Sequence, residues 1–292
     1  MDVAIQILVT GLTVGGMYAL SAIGLSLVWG ALGMLNMAHG VLLTLGGYVA
    51  FAAVTYAGAP WPVAVVATMG AGALMGFFIY HGVARVLLRN PEFDTVVIIA
   101  TVGLATALEH IVLLVFGGQP YGQPVSFQGS LSIRTINVPA QNLAVMVASF
   151  LFMMIVAALL SKTRTGRAIR ATAQNRELAR ILGVPVERVY AQVLAISGVL
   201  ASISGLLLSG ITMLSPTLGD DPMLKAFIMC VVAGFGSVPG AAIAAFALAL
   251  VEQTVAFALG ARWGFPLLLL LVIITLILRP QGVLGRVRAI RL

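Results

Sequence analysis

Between Asp2 and Arg85 the chain contains no aspartate, glutamate, lysine or arginine. A helix crosses the hydrocarbon core of a bilayer with about 20 mainly apolar residues, so this one stretch has room for three crossings. The rest of the chain continues the pattern: 61% of the 292 residues are hydrophobic, 9% are charged, and mean hydropathy is +1.10. Soluble domains hold about 45–50% apolar and about 25% charged residues. The apolar runs are continuous, which excludes a β-barrel, whose strands of roughly 10 residues alternate apolar and polar positions. An all-α, polytopic integral membrane protein is expected, as one domain over residues 1–292.

Apolar segments run from Ile5 to Trp29, Gly40 to Ala57, Trp61 to Tyr80, Thr95 to Phe116, Leu143 to Leu160, Val189 to Leu214, Met223 to Phe235, Ala241 to Leu259 and Phe265 to Leu278. They predict about eight to nine transmembrane helices. The segment from Met223 to Phe235 is too short to cross without tilt or thinning and reads as a half-helix. The first segment is longer than a signal-peptide core and has no basic residue before it, so it is expected to remain as a span.

The net charge of +7 would suggest nucleic acid in a soluble protein, but here the basic residues are localised. Arg85 and Arg89 mark one loop, and Arg279, Arg286, Arg288 and Arg291 mark a tail. Residues 161–188 hold Lys162, Arg164, Arg167, Arg170, Arg176, Arg180 and Arg188 against Glu177 and Glu187. The positive-inside rule places all three in the cytoplasm. The stretch from Gly117 to Gln141, with Arg134 as its one charge, belongs outside. Parity then favours nine crossings with the N-terminus outside.

Two glycine-rich breaks interrupt the apolar blocks, one at residues 33–40 and one at residues 234–240. Irregular backbone at membrane depth is tolerated where it is buried in protein or lines a cavity, so broken helices here would be pathway elements. An ordinary turn at the membrane surface fits the same residues.

The nucleotide-binding pattern G-x-x-x-x-G-K-[ST] is absent, so any ATP hydrolysis belongs to another subunit. His39, His81 and His110 are scattered and the single Cys230 has no partner cysteine, so no metal set is formed and Cys230 reads as a small packing residue. Within residues 161–188, Thr163 or Thr165 can cap a helix, Leu178, Ile181 and Leu182 recur at helical spacing, and Gly183 and Pro185 stop it. A short amphipathic helix held between two spans either docks its apolar stripe on a cytoplasmic partner or lies on anionic headgroups.

The run from Thr165 to Ala171, continued from Asn175 to Val184, resembles the coupling segment of branched-chain amino-acid ABC importer permeases of the LivH type. Gly30 to Gly40, Gly234 to Ala241 and Arg279 to Gly285 agree with the same family, in the same order. Glu177, Ala179 and Gly183 match its degenerate Glu-Ala-Ala…Gly coupling pattern, whereas Leu178 replaces the first alanine and Arg180 follows the second. The resemblance implies that Arg176, Glu177, Leu178, Ala179, Arg180, Ile181, Leu182 and Gly183 couple the chain to an ATPase. It also implies a paralogous permease subunit, two ABC ATPase subunits that bind ATP and Mg, an extracytoplasmic solute-binding protein, and residence in the bacterial cytoplasmic (inner) membrane. Nucleic acid is not among the expected partners, and no cofactor is expected in this chain.

Candidate path residues are Asn36, His39, Gly40, Glu109 and Gly236. Glu109 and His110 fall within the fourth segment, where a charge requires a partner or a watery cavity; an ion pair near the outer interface is the alternative. Glu252 beside Gln253 poses the same question. Asp220, Asp221 and Lys225 cluster at an outer mouth, where they could meet the binding protein, but read first as a solvated charged turn. Gly11 with Gly15, and Gly72 with Gly76, permit close helix packing within the chain or against a second permease.

The leading expectation is a non-catalytic permease subunit moving a small polar solute, branched-chain or other amino acids above all, with urea, amides and aromatic acids as further cargo classes of similar permeases. A passive aquaglyceroporin-like channel is the alternative, because Asn36-Met37-Ala38 resembles one of the paired Asn-Pro-Ala elements; the late break has no asparagine. An intramembrane enzyme lacks a nucleophile and base or a metal set.

Overall fold

The computed structural model describes residues 2–124, 129–133 and 136–283. Arg134, Arg286, Arg288 and Arg291, used above to orient the chain, lie outside the described residues. Helices α1 (Asp2–Leu32), α2 (His39–Thr55) and α3 (Trp61–Ile79) come first, and α3 runs through a π-helical turn (Tyr80–Ala84) into α4 (Arg85–Leu87). Next come α5 (Phe93–Phe116), a hairpin of β1 (Ser130–Ile133) and β2 (Ile136–Pro139), and α6 (Ala140–Lys162). Two short helices, α7 (Arg164–Gln174) and α8 (Arg176–Ile181), precede α9 (Val186–Ser209), α10 (Asp220–Ala233), α11 (Val238–Leu259), a 3₁₀ turn (Ala261–Trp263) and α12 (Gly264–Leu278). Among the described residues, seven helices are long and apolar enough to cross a membrane, and α2 is a shorter apolar helix of 17 residues. With the 14-residue α10, the expected segments each have a helix, and the polytopic all-α architecture stands. The antiparallel hairpin within the loop from Gly117 to Gln141 had no counterpart in the sequence reading.

Helix α9 is the hub, wedged between α1, α2 and α3. Glycines make this possible: a Cβ on Gly205 would fall on the Leu43 carbonyl, one on Gly46 on the Ser202 carbonyl, and one on Gly76 on the Leu194 carbonyl. Without side chains at these points the backbones approach closely, which in lipid replaces the hydrophobic driving force with van der Waals packing. Gly11 and Gly15 likewise face Leu250 and Phe246 of α11, so both small-residue pairs pack within the chain.

Buried apolar side chains divide into two main groups that share α1. One joins α1 to α2, α3 and α9 around Leu20, Leu42, Leu43, Ile79, Leu194 and Ile203. The other joins the opposite face of α1 to α10, α11 and α12 around Ala22, Met229, Ala245 and Leu268. Many remaining helix faces carry exposed bulky residues such as Leu74, Leu114, Met154 and Ile277, the composition a lipid-facing surface requires.

Both predicted breaks are present. Helix α1 ends at Leu32, Gly33 takes φ +71°, and α2 starts at His39; α10 ends at Ala233, Gly234 and Gly236 take φ +90° and +82°, and α11 starts at Val238. The first break is no surface turn. His39 Nε2 lies 3.1 Å from the Ser21 carbonyl, and Ser21 stands eleven residues, about 16 Å, back along α1 from its end. Residues 33–38 therefore run back alongside α1 in unwound form, and Met34, Asn36 and Ala38 are fully buried.

Candidate functional site

Unwound backbone inside a membrane protein needs substitute hydrogen-bond partners. Here the Met37 N–H donates to Thr101 Oγ1 (3.1 Å), the Ala38 N–H to Asn36 Oδ1 (3.2 Å) and the His39 N–H to the Asn36 carbonyl (3.1 Å). Asn36 thus holds the start of α2 with its oxygen, while its buried Nδ2 has no hydrogen-bond partner within the chain. His39 is completely buried. Its Nε2 also meets Ser21 Oγ at 3.1 Å, and Ser197 Oγ stands 3.4 Å from its Nδ1. The ring therefore ties α2 to α1 and α9.

A second unwound stretch, residues 210–219, leads from the end of α9 to α10. Leu214 exchanges two backbone bonds with Tyr121 (2.8 and 2.9 Å), and the Gly219 N–H donates to Thr44 Oγ1 (3.0 Å). Gly219 and Met223 pack directly on Gly40. Two short apolar helices, α2 and α10, thus begin side by side in the interior, each preceded by chain that is not helical.

Glu109 is half-buried on α5 and lies close enough to Asp220, the residue after Gly219, for the two carboxyls to interact. Glu109, His110, Leu113, Gly118 and residues 215–217 line a cleft of about 300 Å³. Asn36, His39 and Gly40 lie together at the start of α2, and Glu109 connects to them only through Asp220 and Gly219, which packs on Gly40. Gly236 is not with them: it sits past the far end of α10, against Gly30, with Phe235 on Trp29 at a ring-centroid distance of 4.5 Å.

Lys225 does not belong to a solvated turn. Its Nζ bonds Glu252 Oε1 at 2.6 Å and the Tyr18 hydroxyl at 3.0 Å, with side-chain exposures of 14% for Lys225 and 8% for Glu252. Burial in apolar helices leaves an ionised lysine and glutamate nothing else to pair with. The sequence carries the signal as two intramembrane residues of opposite charge, although Asp220 and Asp221 stand nearer to Lys225 along the chain than Glu252 does.

On the basic loop between α6 and α9, Thr163 Oγ1 accepts the Gly166 N–H (3.0 Å) and caps α7. The expected single helix is two: Asn175 adopts an extended conformation, and its Oδ1 accepts the Glu177 and Leu178 N–H groups, both at 3.0 Å, to start α8. Gly183 closes α8 with φ +82°. The Gly183 N–H donates to the Arg180 carbonyl and the Val184 N–H to the Ala179 carbonyl, the paired bonds of a glycine-stopped helix. Ala179 points inward and is buried, whereas Leu178, Ile181 and Leu182 are 56%, 79% and 82% exposed. Arg176, Glu177 and Arg180 flank that stripe. Among the described residues no group of three or more histidines, cysteines or carboxylates is placed to hold a metal ion.

Residues 7–278 match the family described as the branched-chain amino acid transport system / permease component. The chain is 30% identical to the high-affinity branched-chain amino acid transport system permease protein BraD of Pseudomonas aeruginosa, over 97% of this chain and 96% of that protein. It is also 30% identical to LivH of Escherichia coli, named likewise, over 97% and 96%. A probable branched-chain amino acid transport permease protein of Methanocaldococcus jannaschii is 26% identical over 91% and 88%. No solved structure matches.

Proposed function

The chain belongs to the branched-chain amino acid transport permease family, and from that premise we propose that it is the membrane-spanning subunit of a binding-protein-dependent ABC importer in the bacterial cytoplasmic membrane, passing branched-chain or other amino acids. ATP and Mg are bound by two separate ATPase subunits, a paralogous permease completes the path, and an extracytoplasmic protein delivers the solute. The coupling loop and the C-terminus face the cytoplasm.

The observation that carries this reading is the stripe of Leu178, Ile181 and Leu182, exposed on a helix stopped firmly at both ends. Three bulky apolar side chains left exposed on a loop that buries Ile169 and Ala179 suit a groove on a moving partner. Asn36, His39 and Gly40 border the solute path beside the mouth at Glu109, and Gly236 lies on its cytoplasmic side. In support, Asn36 keeps a buried amide free to donate, and unwound helices are where membrane transporters expose backbone to solute.

A passive channel finds one point in its favour, the two short helices that begin together at Gly40 and Gly219. Copurification separates the two readings. Expressed with its neighbouring genes, the chain should bring ATPase subunits through detergent extraction; alone, it should hydrolyse no ATP. A self-sufficient homo-oligomer that conducts solute without ATP would establish the channel. Competition of uptake by leucine, isoleucine, valine, urea and an aromatic acid then identifies the cargo, with the three branched-chain amino acids expected to compete best.

Asn36→Ala should lower the maximal uptake rate about tenfold while the complex still assembles, because the start of α2 loses both its side-chain acceptor and the free amide. Uptake equal to wild type by Asn36→Ala and by His39→Ala, measured over a range of solute concentrations, would remove this segment from the path.

A further inference from the structure

Helix α10 is a short segment set between Gly219 and Gly234. It has 14 residues, non-helical chain at both ends, and so no continuous helix to fix how far it slides along its axis. Its contacts with α1 are in register along the whole length: Lys225 at Tyr18, Cys230 with its thiol donating to the Ala22 carbonyl (3.2 Å), and Phe235 at Trp29. Most of these are apolar or weak and tolerate sliding. The ion pair does not, because a shift of one turn, about 5.4 Å, would strand two buried charges. A buried ion pair adds little to stability relative to apolar residues of the same volume, and its best-attested use is to select one register. The pair here has that character, since Glu252 Oε2 is buried without a partner.

We propose that Lys225 and Glu252, with the Tyr18 hydroxyl, are positioning residues that set the axial register of α10 against α1 and α11, and thereby hold Gly219 and Met223 on the start of α2. The consequence for transport rests on the reading above that the start of α2 borders the path. Helices α1, α10 and α11 then behave as one body, and the seam where Gly219 meets Gly40 is the place where that body works against α2 and α9.

The native single cysteine reports the register independently of cargo. Cys230 lies five residues beyond Lys225, 1% exposed. In the full complex with its ATPases and binding protein, N-ethylmaleimide should label wild-type Cys230 slowly, and Lys225→Met or Glu252→Met should raise the rate at least tenfold. The exchange Lys225→Glu with Glu252→Lys should return protection to within a few-fold of wild type. Lys225→Met with Glu252→Met removes the charges without leaving one unpaired, so it should assemble in normal amounts. Its maximal uptake should nevertheless fall about tenfold, with the KM for solute within twofold of wild type. Wild-type labelling in both single variants, or wild-type uptake by the double methionine variant, would overturn the proposal. So would an exchange variant that assembles yet stays unprotected. If the wild-type complex moves no amino acid while the labelling pattern holds, the cargo assignment fails and the register role stands.

Discussion

Gly205→Val should leave less than one tenth of the wild-type amount of folded permease, whereas Gly103→Val should accumulate normally. Both glycines are helical and both lie in membrane spans. A Cβ on Gly205 would land on the backbone of Leu43 in α2, and a backbone cannot rotate out of the way; a Cβ on Gly103 meets nothing. Overpacking a core costs typically about 1–3 kcal/mol when side chains can adjust. At Gly205 the α2–α9 seam itself must open, in a protein whose whole stability is of the order of 5–15 kcal/mol. That seam also carries the Ser202 hydroxyl bond to the Leu42 carbonyl (3.2 Å) and the His39–Ser197 approach, so separation would cost them together. Fluorescence-detected size exclusion of the detergent-extracted variants measures the difference. Equal recovery of the two variants would show that α9 does not depend on glycine contact.

Leu178→Asp should reduce solute-stimulated ATPase activity of the assembled importer at least tenfold, or detach the ATPases, without lowering the amount of folded permease. The side chain is more than half exposed and α8 is fixed by the Asn175 cap and the Gly183 stop, so the substitution changes the stripe and little else. Exposed substitutions away from such features stay within about 0.5 kcal/mol for the free protein. Buried against a partner, an unpaired carboxylate carries a large desolvation cost. Arg176→Ala and Arg180→Ala should cost less than Leu178→Asp, since exposed ion pairs contribute about 0–1 kcal/mol. Gly183→Val should act in the same direction through a different cause: the φ of +82° is strained for valine, so the end of α8 would be re-aimed. Retention of the ATPases with unchanged stimulation in Leu178→Asp would return the stripe to a lipid-headgroup role.

The apolar periodicity and the glycine clusters made the helix count and both breaks legible, because length and hydropathy are local properties. Depth was not legible. Nothing in Gly33 to Ala38 says that the chain turns back alongside α1 to bring His39 to Ser21, since an unwound segment has no period and its partners, Thr101, Ser21 and Ser197, are remote in sequence. Lys225 failed for the same reason: Asp220 and Asp221 are near in sequence and Glu252 is near in space. Gly11, Gly15, Gly72 and Gly76 were legible as packing residues but not as to which helix they meet. On the loop, the first cap and the stop are readable from Thr163 and Gly183, whereas Asn175 gives no clear signal, because a residue able to cap a helix also fits inside one.

Accumulation against a gradient separates an ATP-driven importer from a passive channel. The direct measurement is accumulation of radiolabelled leucine in proteoliposomes holding the chain with its permease, ATPase and binding-protein partners. Leucine supplied on the binding-protein side should accumulate on the ATPase side well above the equilibrium level only when Mg-ATP is supplied there. Equilibration of leucine to equal concentrations without ATP, by this chain alone, would contradict the importer reading.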